Sequence, residues 1–328
     1  MKILVTGATG FIGSHLVDYL LDLGYDVRAT IRKTSNLQWL KNKNIELVEA
    51  NLNSIEDALK AVKDVDYIYH VAGLVAANNY NEFLKANRDV TENLLKACEQ
   101  ANQNLQRFIL VSSQTASGPS SSLDNPQTED DIPKPITSYG KSKLEGEKVA
   151  ISFMNKLPIT IVRPPAVYGP RDPAIKDVFK IVDKGIATLI GFDDKFVSLI
   201  YIKDLVRGMV LAGESNISEG QIYFITSHQF YTWNEIMDTM KIAMDKKHLI
   251  KVRIPHSLVL AMGAISEFLG KFSNKPPVFD YEKAIDFIQK YWICSPEKAR
   301  RDLDFVSEVP LEDGLTETAQ WYKSMKWI

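Results

Sequence analysis

Three glycines near the start of the chain constrain its fold more than any other feature. The sequence opens MKILVTGATGFIGSHLVDYL, and Gly7, Gly10 and Gly13 separate a β-branched run from a helical pattern. Glycine has no Cβ, so a strand–loop–helix turn of this kind lets backbone amides and a helix N-terminus approach a pyrophosphate. We interpret the spacing as a dinucleotide-binding loop. The alternative is a structural turn, for which one glycine would suffice.

The order of the following segments predicts a parallel sheet. Short β-branched runs such as DVRATIR, VDYIYHVAG, RFILVSS and ITIVRPP alternate with helical patterns near 55–62, 81–101 and 138–156. This alternation indicates an α/β fold of the Rossmann type, with a doubly wound parallel sheet covered by helices on both faces.

The regular alternation of strand and helix patterns ends after Pro164, which suggests a division of the chain into two parts. We predict an NAD(P)-binding domain over 1–165 and a smaller, mixed, mostly helical substrate lobe over 166–328. Within this lobe, the strand and helix patterns near 197–213 and 221–245 are candidates to return to the main domain.

Composition limits the classes of partner and the compartment. A formal net charge of −2 over 328 residues provides no long-range field to attract nucleic acid or an anionic membrane, so binding of either would have to be local. Cys98 and Cys294 lie far apart and no leader precedes the first strand, so we expect unpaired thiols and a cytoplasmic location. Histidines and cysteines are not clustered, so we expect no metal, and His70 reads as a packed strand residue.

The longest apolar stretch, SLVLAMGAISEFLG, is interrupted by Ser266 and Glu267. It is too short to cross the roughly 30 Å of bilayer hydrocarbon, so no integral membrane span is expected. We predict a helix packed within the second lobe, with a helix lying on a membrane surface as the alternative.

The end of the second predicted strand discriminates between two cofactors. Proteins that bind an unphosphorylated ribose usually end this strand with an acidic residue. Here Ile31 stands at that position, and Arg32 and Lys33 follow. A guanidinium suits a 2′-phosphate, so the sequence favours NADP(H), with NAD(H) as the alternative. The other interpretation of Arg32 and Lys33 is a solvated basic turn.

Tyr139 and Lys143 are candidates for proton transfer. They lie four residues apart in a predicted helix, so their side chains share a face, and the ammonium is expected to lower the pKa of the phenol. Ser112 and Ser113 end the strand RFILVSS, at the edge where open parallel sheets bind ligands. A serine hydroxyl there can hold a substrate oxygen while the tyrosine exchanges the proton.

These motifs, in this order, resemble the extended short-chain dehydrogenases/reductases, also called the epimerase/dehydratase family. VTGATGFIG resembles the glycine motif of the family, YHVAG its fourth-strand motif, LVSSQT its serine motif, YGKSK its Tyr-x-x-x-Lys and RPPAVYGPRD the stretch after the sixth strand. The resemblance covers nearly the whole chain. It implies an enzyme with a nicotinamide cofactor, and its paired helices imply a homodimer through 81–101 and 138–156.

The resemblance also implies roles for individual residues. Tyr139 would donate and accept the proton, Ser113, with Thr115, would bind the reacting oxygen, and Lys143 would hold the nicotinamide ribose. The residues implied at the cofactor are Gly7, Thr9, Gly10, Phe11, Ile12, Gly13, Arg32, Asn51, Leu52, Ala72, Tyr139, Lys143 and Pro165. Two positions depart from the family: Asn51 stands where many relatives have an aspartate, and Gln114 interrupts the serine motif.

Two outcomes of the chemistry stay open at this point. GYDVRATIRK resembles ketone reductases of the dihydroflavonol reductase type, which favours an NADP(H)-dependent oxidoreductase acting on a ketone or secondary alcohol. The stretch RPPAVYGP and the C-terminal segment also resemble bacterial sugar epimerases, which makes a nucleotide-sugar epimerase or dehydratase with tightly bound NAD(P) the alternative. A non-catalytic NADP-sensing protein is a remote third, because such proteins often lack the Tyr–Lys pair.

A nucleotide sugar would need cations for a second diphosphate. The second lobe supplies basic side chains that solvated helix faces would also carry. These are Arg171, Lys176, Lys180, Lys184, Lys195, Arg207, Lys251 and Arg253.

Overall fold

The first part of the chain builds one parallel sheet. A computed structural model describes residues 1–270, 272, 277 and 279–328. All the strand pairs of this seven-stranded sheet are parallel, and the spatial order is β10-β6-β5-β4-β1-β2-β3. The strands are β1 (Lys2–Thr6), β2 (Asp26–Ile31), β3 (Glu46–Glu49), β4 (Tyr67–His70), β5 (Arg107–Val111), β6 (Ile159–Arg163) and β10 (Ile222–Phe224). The predicted Rossmann-type fold is confirmed.

Two smaller sheets complete the strand structure of the described residues. Strand β9 pairs in parallel with β7 and β13 and antiparallel with β11. Strands β8 and β12 form a parallel pair of their own. These strands are β7 (Ala166–Tyr168), β8 (Ile186–Ile190), β9 (Phe196–Tyr201), β11 (Phe230–Thr232), β12 (Ile250–Ile254) and β13 (Tyr291–Trp292).

Helices cover both faces of the main sheet and form most of the C-terminal part. They are α1 (Phe11–Asp22), α2 (Ile55–Val62), α3 (Tyr80–Leu84), α4 (Val90–Ala101), α5 (Ser138–Phe153), α6 (Lys176–Asp183), α7 (Ile202–Glu214), α8 (Trp233–Ala243), α9 (His256–Gly270), α10 (Tyr281–Ile288), α11 (Glu297–Leu303) and α12 (Leu311–Ser324). Among the described residues, no helix combines the length and the apolar character that crossing a bilayer requires.

Two buried clusters hold the main sheet between its helices. One lies against α1 and α7 and includes Leu16, Leu20 and Leu205. The other lies against α2, α4 and α5 and includes Leu94 and Phe108. Because parallel strands are covered on both faces, β5 and β6 are buried along their whole length. This packing fixes the carboxyl ends of the strands, where polar side chains gather.

The predicted helix over 81–101 is interrupted. A π-helical turn over Lys85–Asp89 separates α3 from α4. Its Asn87 side chain donates to Ser142 Oγ at 2.9 Å and to the Leu74 carbonyl oxygen at 3.1 Å, and accepts from the Leu74 amide at 3.0 Å. The extra residue of the π turn thus aims a buried amide at α5 and at the loop after β4.

The predicted packing of the apolar helix within the second lobe is wrong for most of its surface. Helix α9 forms as expected, but Val259 and Gly263 are its only buried residues. A Cβ on Gly263 would lie 2.7 Å from the Asp280 carbonyl oxygen and 2.8 Å from Ala284 Cβ, so this face packs tightly on α10. The opposite face stays exposed, because one small neighbouring helix covers one face only.

Candidate active site

The loop between β1 and α1 leaves no space for a side chain at two of its glycines, and at Gly7 the backbone also has a positive φ. Gly7 has φ +70°, and a Cβ there would lie 2.7 Å from the Ala72 amide nitrogen. A Cβ on Gly13 would overlap the Gly7 carbonyl oxygen. Gly10 is the N-cap of α1, whose first amides have no helical partner and point out of the loop. This cradle fits a pyrophosphate, because no side chain separates the ligand from the amides.

A buried hydrogen-bond chain holds the ends of β1 and β4 together beneath this loop. Thr6 Oγ1 lies 2.7 Å from His70 Nδ1 and accepts from the Ala72 amide at 3.2 Å, while His70 Nε2 lies 3.2 Å from Thr91 Oγ1. Burial lowers the pKa of His70 to about 3, so the ring is neutral at physiological pH. The prediction that His70 is a packed strand residue is confirmed.

The predicted proton-transfer residues meet at the carboxyl end of β5. Thr137 caps α5 by accepting from the Gly140 amide at 3.2 Å, and Tyr139 and Lys143 follow on one face of the helix. Lys143 Nζ donates to the Val111 carbonyl oxygen at 2.6 Å. Ser113 follows Val111 by two residues, and its hydroxyl interacts with Tyr139.

The two serines at the end of β5 have different partners. Ser113 Oγ accepts from Thr115 Oγ1 at 2.9 Å and lies on the Tyr139 side. Ser112 instead donates to the buried Glu147 carboxylate. Glu147 is also paired with Arg163 at 2.6 Å, and both side chains are almost completely buried. Of the two sequence candidates, Ser113 interacts with Tyr139, whereas the Ser112 hydroxyl is engaged by Glu147.

The predicted lowering of the Tyr139 pKa is wrong. Burial raises the pKa of Tyr139 to about 12, and the interaction with Ser113 offsets this effect only in part. Burial also lowers the pKa of Lys143 to about 8, which the nearby Glu147 carboxylate opposes. The spacing argument failed because Lys143 Nζ is held by the Val111 carbonyl oxygen, while both groups lose water. At neutral pH, the phenol keeps its proton.

Helix α10 reaches over the start of α5. The Glu282 carboxylate accepts from the Ser138 amide at 2.6 Å and from Ser138 Oγ at 2.8 Å. Lys283 Nζ lies 5.9 Å from the centre of the Tyr139 ring, and the Phe83 ring lies 6.1 Å from it on α3. Sequence reasoning missed these contacts, because YEKAIDFI shows only an ordinary helical pattern and nothing in it indicates a partner on α5.

Asp286 lies one turn further along α10 and acts on Tyr139 electrostatically. Its exposed fraction is 8 %, and its Oδ1 has no hydrogen-bond partner among the residues that the structure describes. Burial raises the pKa of Asp286 to about 6. A buried carboxyl oxygen without a partner is uncommon, and the charge of Asp286 raises the pKa of Tyr139, so we include Asp286 in the candidate site.

The remaining predicted cofactor residues follow the same edge of the sheet. Arg32 comes directly after β2, next to the glycine loop, and its side chain is exposed. Ala72 follows β4 and packs against Gly7, while Leu52 is buried after β3. Pro165 is buried between β6 and β7. The half-buried residues of the loop and first turn are Thr9, Phe11 and Ile12.

Asn51 is engaged within its own turn. Its Oδ1 accepts from the Asn53 amide at 3.3 Å and from Asn53 Nδ2 at 3.2 Å, while its backbone amide donates to Asp57 at 2.9 Å. The side chain is exposed near the end of β3. Asn51 Oδ1 therefore accepts hydrogen bonds within its own turn, close to the end of β3.

The basic side chains considered for a second diphosphate are mostly paired with carboxylates. The pairs are Arg171–Asp18, Lys180–Asp177, Lys195–Asp193, Arg207–Asp204 and Lys251–Asp238. Arg253 donates to the Gly191 carbonyl oxygen at 3.2 Å, and Lys176 lies 5.0 Å from the centre of the Trp327 ring. Arg171 and Arg207 line the same cavity, but each already pairs with a carboxylate there.

A glycine cradle next to a Tyr–Lys–Ser group at the rim of a parallel sheet defines a class of NAD(P)-dependent enzymes that oxidise, reduce or epimerise small molecules. Comparison with protein families gives the same class. The model of the NAD dependent epimerase/dehydratase family matches residues 3–226. The chain belongs to this family, the extended short-chain dehydrogenases/reductases, and the predicted resemblance is confirmed.

Individual relatives include both dehydrogenases and epimerases. The chain is 28 % identical to a ceramide reductase of Caulobacter vibrioides over 99 % of this chain and 96 % of that protein. It is 24 % identical to a decarboxylating sterol-4-alpha-carboxylate 3-dehydrogenase of Dictyostelium discoideum, over 96 % of this chain and 99 % of that one. The structure of UDP-glucuronic acid 4-epimerase from Bacillus cereus in complex with NAD is similar, with a TM-score of 0.79, 27 % identity and 99 % of both chains covered.

Proposed function

We propose that this protein is an NADP(H)-dependent oxidoreductase that interconverts a ketone and a secondary alcohol. The observation that carries the proposal is the juxtaposition of a Cβ-free phosphate cradle with Tyr139, Ser113 and Lys143 at one edge of the sheet. Ligands of open parallel sheets bind at this edge. The fold thus offers one place for a dinucleotide and for a group that exchanges a proton.

The cofactor would be held by the loop after β1 and by the ends of the neighbouring strands. Gly7, Gly10, Gly13 and the α1 amides suit the pyrophosphate, with Thr9, Phe11 and Ile12 around it. Asn51 and Leu52 suit the adenine end, and Ala72, Lys143 and Pro165 suit the nicotinamide end. The nicotinamide, when bound, supplies or accepts a hydride.

Arg32 supports NADP(H) over NAD(H). Its exposed guanidinium follows β2 and has no carboxylate partner in the part of the chain that the structure describes, whereas the neighbouring Lys33 lies 4.0 Å from Glu49. An unpaired guanidinium beside the cradle suits a 2′-phosphate. The NAD complex of the similar epimerase keeps NAD(H) as the alternative cofactor.

The side chains support reduction of a carbonyl group. Tyr139 keeps its proton at neutral pH because its pKa is about 12, so it can donate from Oη to the carbonyl oxygen as that oxygen gains charge. The Ser113 hydroxyl would hold the same oxygen. Lys143, with a pKa of about 8, is cationic at neutral pH and would stabilise the tyrosinate that remains.

The names of two relatives favour a lipid as the substrate. Ceramide reductase and sterol-4-alpha-carboxylate 3-dehydrogenase both act on lipids, and both match this chain over nearly its whole length. The pairing of the second-lobe cations also supports an uncharged substrate, because a nucleotide sugar brings a diphosphate that needs free cations. We therefore propose a lipid ketone or lipid secondary alcohol.

Nucleotide-sugar epimerisation is the second candidate, because the UDP-glucuronic acid 4-epimerase structure matches this chain over its full length. The two candidates predict different stoichiometries of cofactor. A reductase consumes one NADPH per product, whereas an epimerase returns the hydride and consumes none.

The deciding experiment incubates the purified chain with NADPH and long-chain keto lipids in detergent, and separately with UDP-glucose and UDP-glucuronic acid. We expect stoichiometric NADPH oxidation with a keto lipid, at a rate that falls when NADH replaces NADPH. Epimer formation without net oxidation of the cofactor would establish the second candidate instead. The homodimer, the cytoplasmic location and the domain boundary at 165 stay predictions.

A further inference from the structure

Asp286 is a buried carboxylate on α10 that the proposed proton transfer does not use. Its exposed fraction is 8 %, and its Oδ1 has no hydrogen-bond partner among the residues that the structure describes. Buried polar atoms normally find partners, and an ionised carboxylate can only accept hydrogen bonds. The oxygen therefore lacks a donor that the described part of the chain does not supply.

The helical geometry of α10 places Asp286 on the face that meets α5. At about 100° per residue, Asp286 lies between Glu282 and Lys283 around the helix axis, roughly 40° from the first and roughly 60° from the second. Glu282 accepts from the Ser138 amide at 2.6 Å, and Lys283 Nζ lies 5.9 Å from the centre of the Tyr139 ring. The charge of Asp286 raises the pKa of Tyr139, as expected for a carboxylate on this face.

The donors that lie near Asp286 along the chain are engaged elsewhere. The Trp292 indole N–H and the Gln289 amide donate to the backbone carbonyl oxygen of Asp286, at 2.9 and 3.2 Å. Gln289 Nε2 donates to a carbonyl oxygen of α10 at 3.0 Å. Lys283 forms no ion pair with Asp286 in the part of the chain that the structure describes. These groups leave Oδ1 of Asp286 available to a ligand.

We propose that Asp286 binds a neutral hydrogen-bond donor of the substrate, close to the carbonyl group that reacts at Tyr139. The substrate class is then a ketone or secondary alcohol that carries a hydroxyl group or an amide N–H near the reacting carbon. This inference deepens the proposed function and rests on it, because Tyr139 marks where the reacting oxygen lies. It assigns to α10 the recognition of a substituent, while α5 and β5 supply the groups that act on the carbonyl.

The charges around Asp286 favour a neutral donor over a charged one. Glu282 and Asp280 add negative charge to the surroundings of Asp286, so a carboxylate or diphosphate of a substrate would be repelled. Lys283 already supplies a cation there, so a substrate ammonium would meet a like charge. A hydroxyl group or an amide N–H avoids both costs and gains a charge-assisted hydrogen bond.

Matched pairs of ketones test the proposal by steady-state kinetics with NADPH. The assay is run at pH ~8, where Asp286 is ionised because burial raises its pKa to about 6. The probes are a long-chain ketone with a hydroxyl group on the carbon next to the carbonyl and its methyl ether, and the corresponding N-acylamino ketone with and without an N-methyl group. In the wild type, we expect kcat/KM to be about 30-fold higher for each donor than for its methylated partner. Asp286→Asn should reduce this ratio to about threefold, because the charged acceptor is lost.

The matched control for this variant is Asp172→Asn. Asp172 is also buried, with an exposed fraction of 4 %, but its Oδ1 accepts from the Ala174 amide at 2.8 Å. Asp172→Asn should keep the ratio of the wild type, because it removes a buried carboxylate that already has a partner. An equal fall of the ratio in both variants would overturn the assignment of Asp286.

Binding to Tyr139→Phe loaded with NADPH separates this inference from the proposed chemistry, because that variant lacks the transferable proton. Calorimetry should show the hydroxy ketone binding about tenfold more tightly than its methyl ether, and the double variant Tyr139→Phe/Asp286→Asn should lose this difference. If the wild type reduced no ketone while this difference in binding remained, only the proposed function would fail. Equal binding of the hydroxy ketone and its ether, or a kcat/KM ratio that Asp286→Asn leaves unchanged, would overturn the role of Asp286.

Discussion

Tyr139 lies between two buried carboxylates that differ in their hydrogen-bond and ion-pair partners. On the side of the main sheet, Glu147 is completely buried but accepts from Ser112 and pairs with Arg163 at 2.6 Å. On the side of the C-terminal lobe, Asp286 is also buried, but its Oδ1 has no partner in the described residues. Glu147 acts electrostatically on Lys143, and Asp286 acts on Tyr139 one turn earlier in α5. Glu147 has partners within the folded chain, whereas Oδ1 of Asp286 has none among the described residues.

On one side of the site the folded chain provides partners for the buried carboxylate, and on the other side the described residues leave one carboxylate oxygen without a partner. Buried polar groups normally find partners, and the Glu147 carboxylate under β5 finds them in Ser112 and Arg163. The lobe side instead carries Asp286, whose Oδ1 has no partner among the described residues, and an apolar helix face that no described residue covers. The main sheet therefore supplies the partners of Glu147, whereas the described residues supply none for Oδ1 of Asp286.

The largest effect is expected at the residue between the two sides. Tyr139→Phe removes the transferable proton and leaves the ring between Phe83 and Lys283, so we expect turnover to fall by about 10³-fold. NADPH affinity, measured by fluorescence titration, should change little. If the variant kept its activity, Tyr139 would not be the proton donor and the proton would come from another group.

The matched control for this variant is Tyr80→Phe. Tyr80 begins α3 and is 38 % exposed, so the loss of its hydroxyl should leave turnover unchanged. Equal losses in both variants would indicate a folding defect in place of a missing proton.

A smaller effect, on the affinity for NADPH, is expected at the end of β2 in the main sheet. Arg32→Ala should weaken NADPH binding by about 30- to 100-fold, because a charge-assisted contact to the 2′-phosphate is lost. NADH affinity should change less than about threefold, since NADH lacks that phosphate. Isothermal titration with both nucleotides measures the difference.

Lys33→Ala serves as the control for Arg32. Lys33 is the adjacent cation, its side chain is 85 % exposed, and it lies near Glu49, so we expect only a small loss of affinity for either nucleotide. If Arg32→Ala weakened both nucleotides equally, Arg32 would not contact the 2′-phosphate.

The sequence predicted the part of the site that lies on the main sheet better than the part that lies on the C-terminal lobe. The glycine spacing, the Tyr–Lys spacing and the serines after β5 identify groups that lie within local motifs, so their geometry follows from one turn and one helix. Even there the pKa of Tyr139 moved in the opposite direction to the prediction, since burial outweighed the neighbouring ammonium. Burial depends on the whole fold and cannot be judged from spacing.

The lobe side could be predicted only in outline. Helix α9 was expected, but its composition is the same whether its faces are covered or open, so its exposure was misjudged. Strands β8 and β12 are short and pair across about sixty residues, and no local pattern indicates that pairing. The contact of Glu282 with Ser138 and the electrostatic effect of Asp286 on Tyr139 depend on how α10 crosses α5, which no periodicity specifies.

The smallest expected effect is on the pH dependence of the free energy of unfolding, and it tests whether Asp286 lacks the partners that Glu147 has. Burial raises the pKa of Asp286 to about 6, whereas in the unfolded chain it titrates near its ordinary value of about 4. Between these values the folded state binds a proton that the unfolded state does not, so the free energy of unfolding decreases as pH rises through this window. Asp286→Asn lacks this decrease.

We therefore expect Asp286→Asn to be more stable than the wild type by about 2 kcal/mol above pH ~7, with the difference vanishing near pH ~4. Urea unfolding at several pH values measures it, with the exposed Asp124→Asn as a control that should match the wild type throughout. A difference that does not change with pH would mean that Asp286 is paired in the folded protein, as Glu147 is. Binding of a substrate that donates a hydrogen bond to Asp286 should then remove the advantage of the asparagine, because the ionised carboxylate would gain the partner that the fold does not provide.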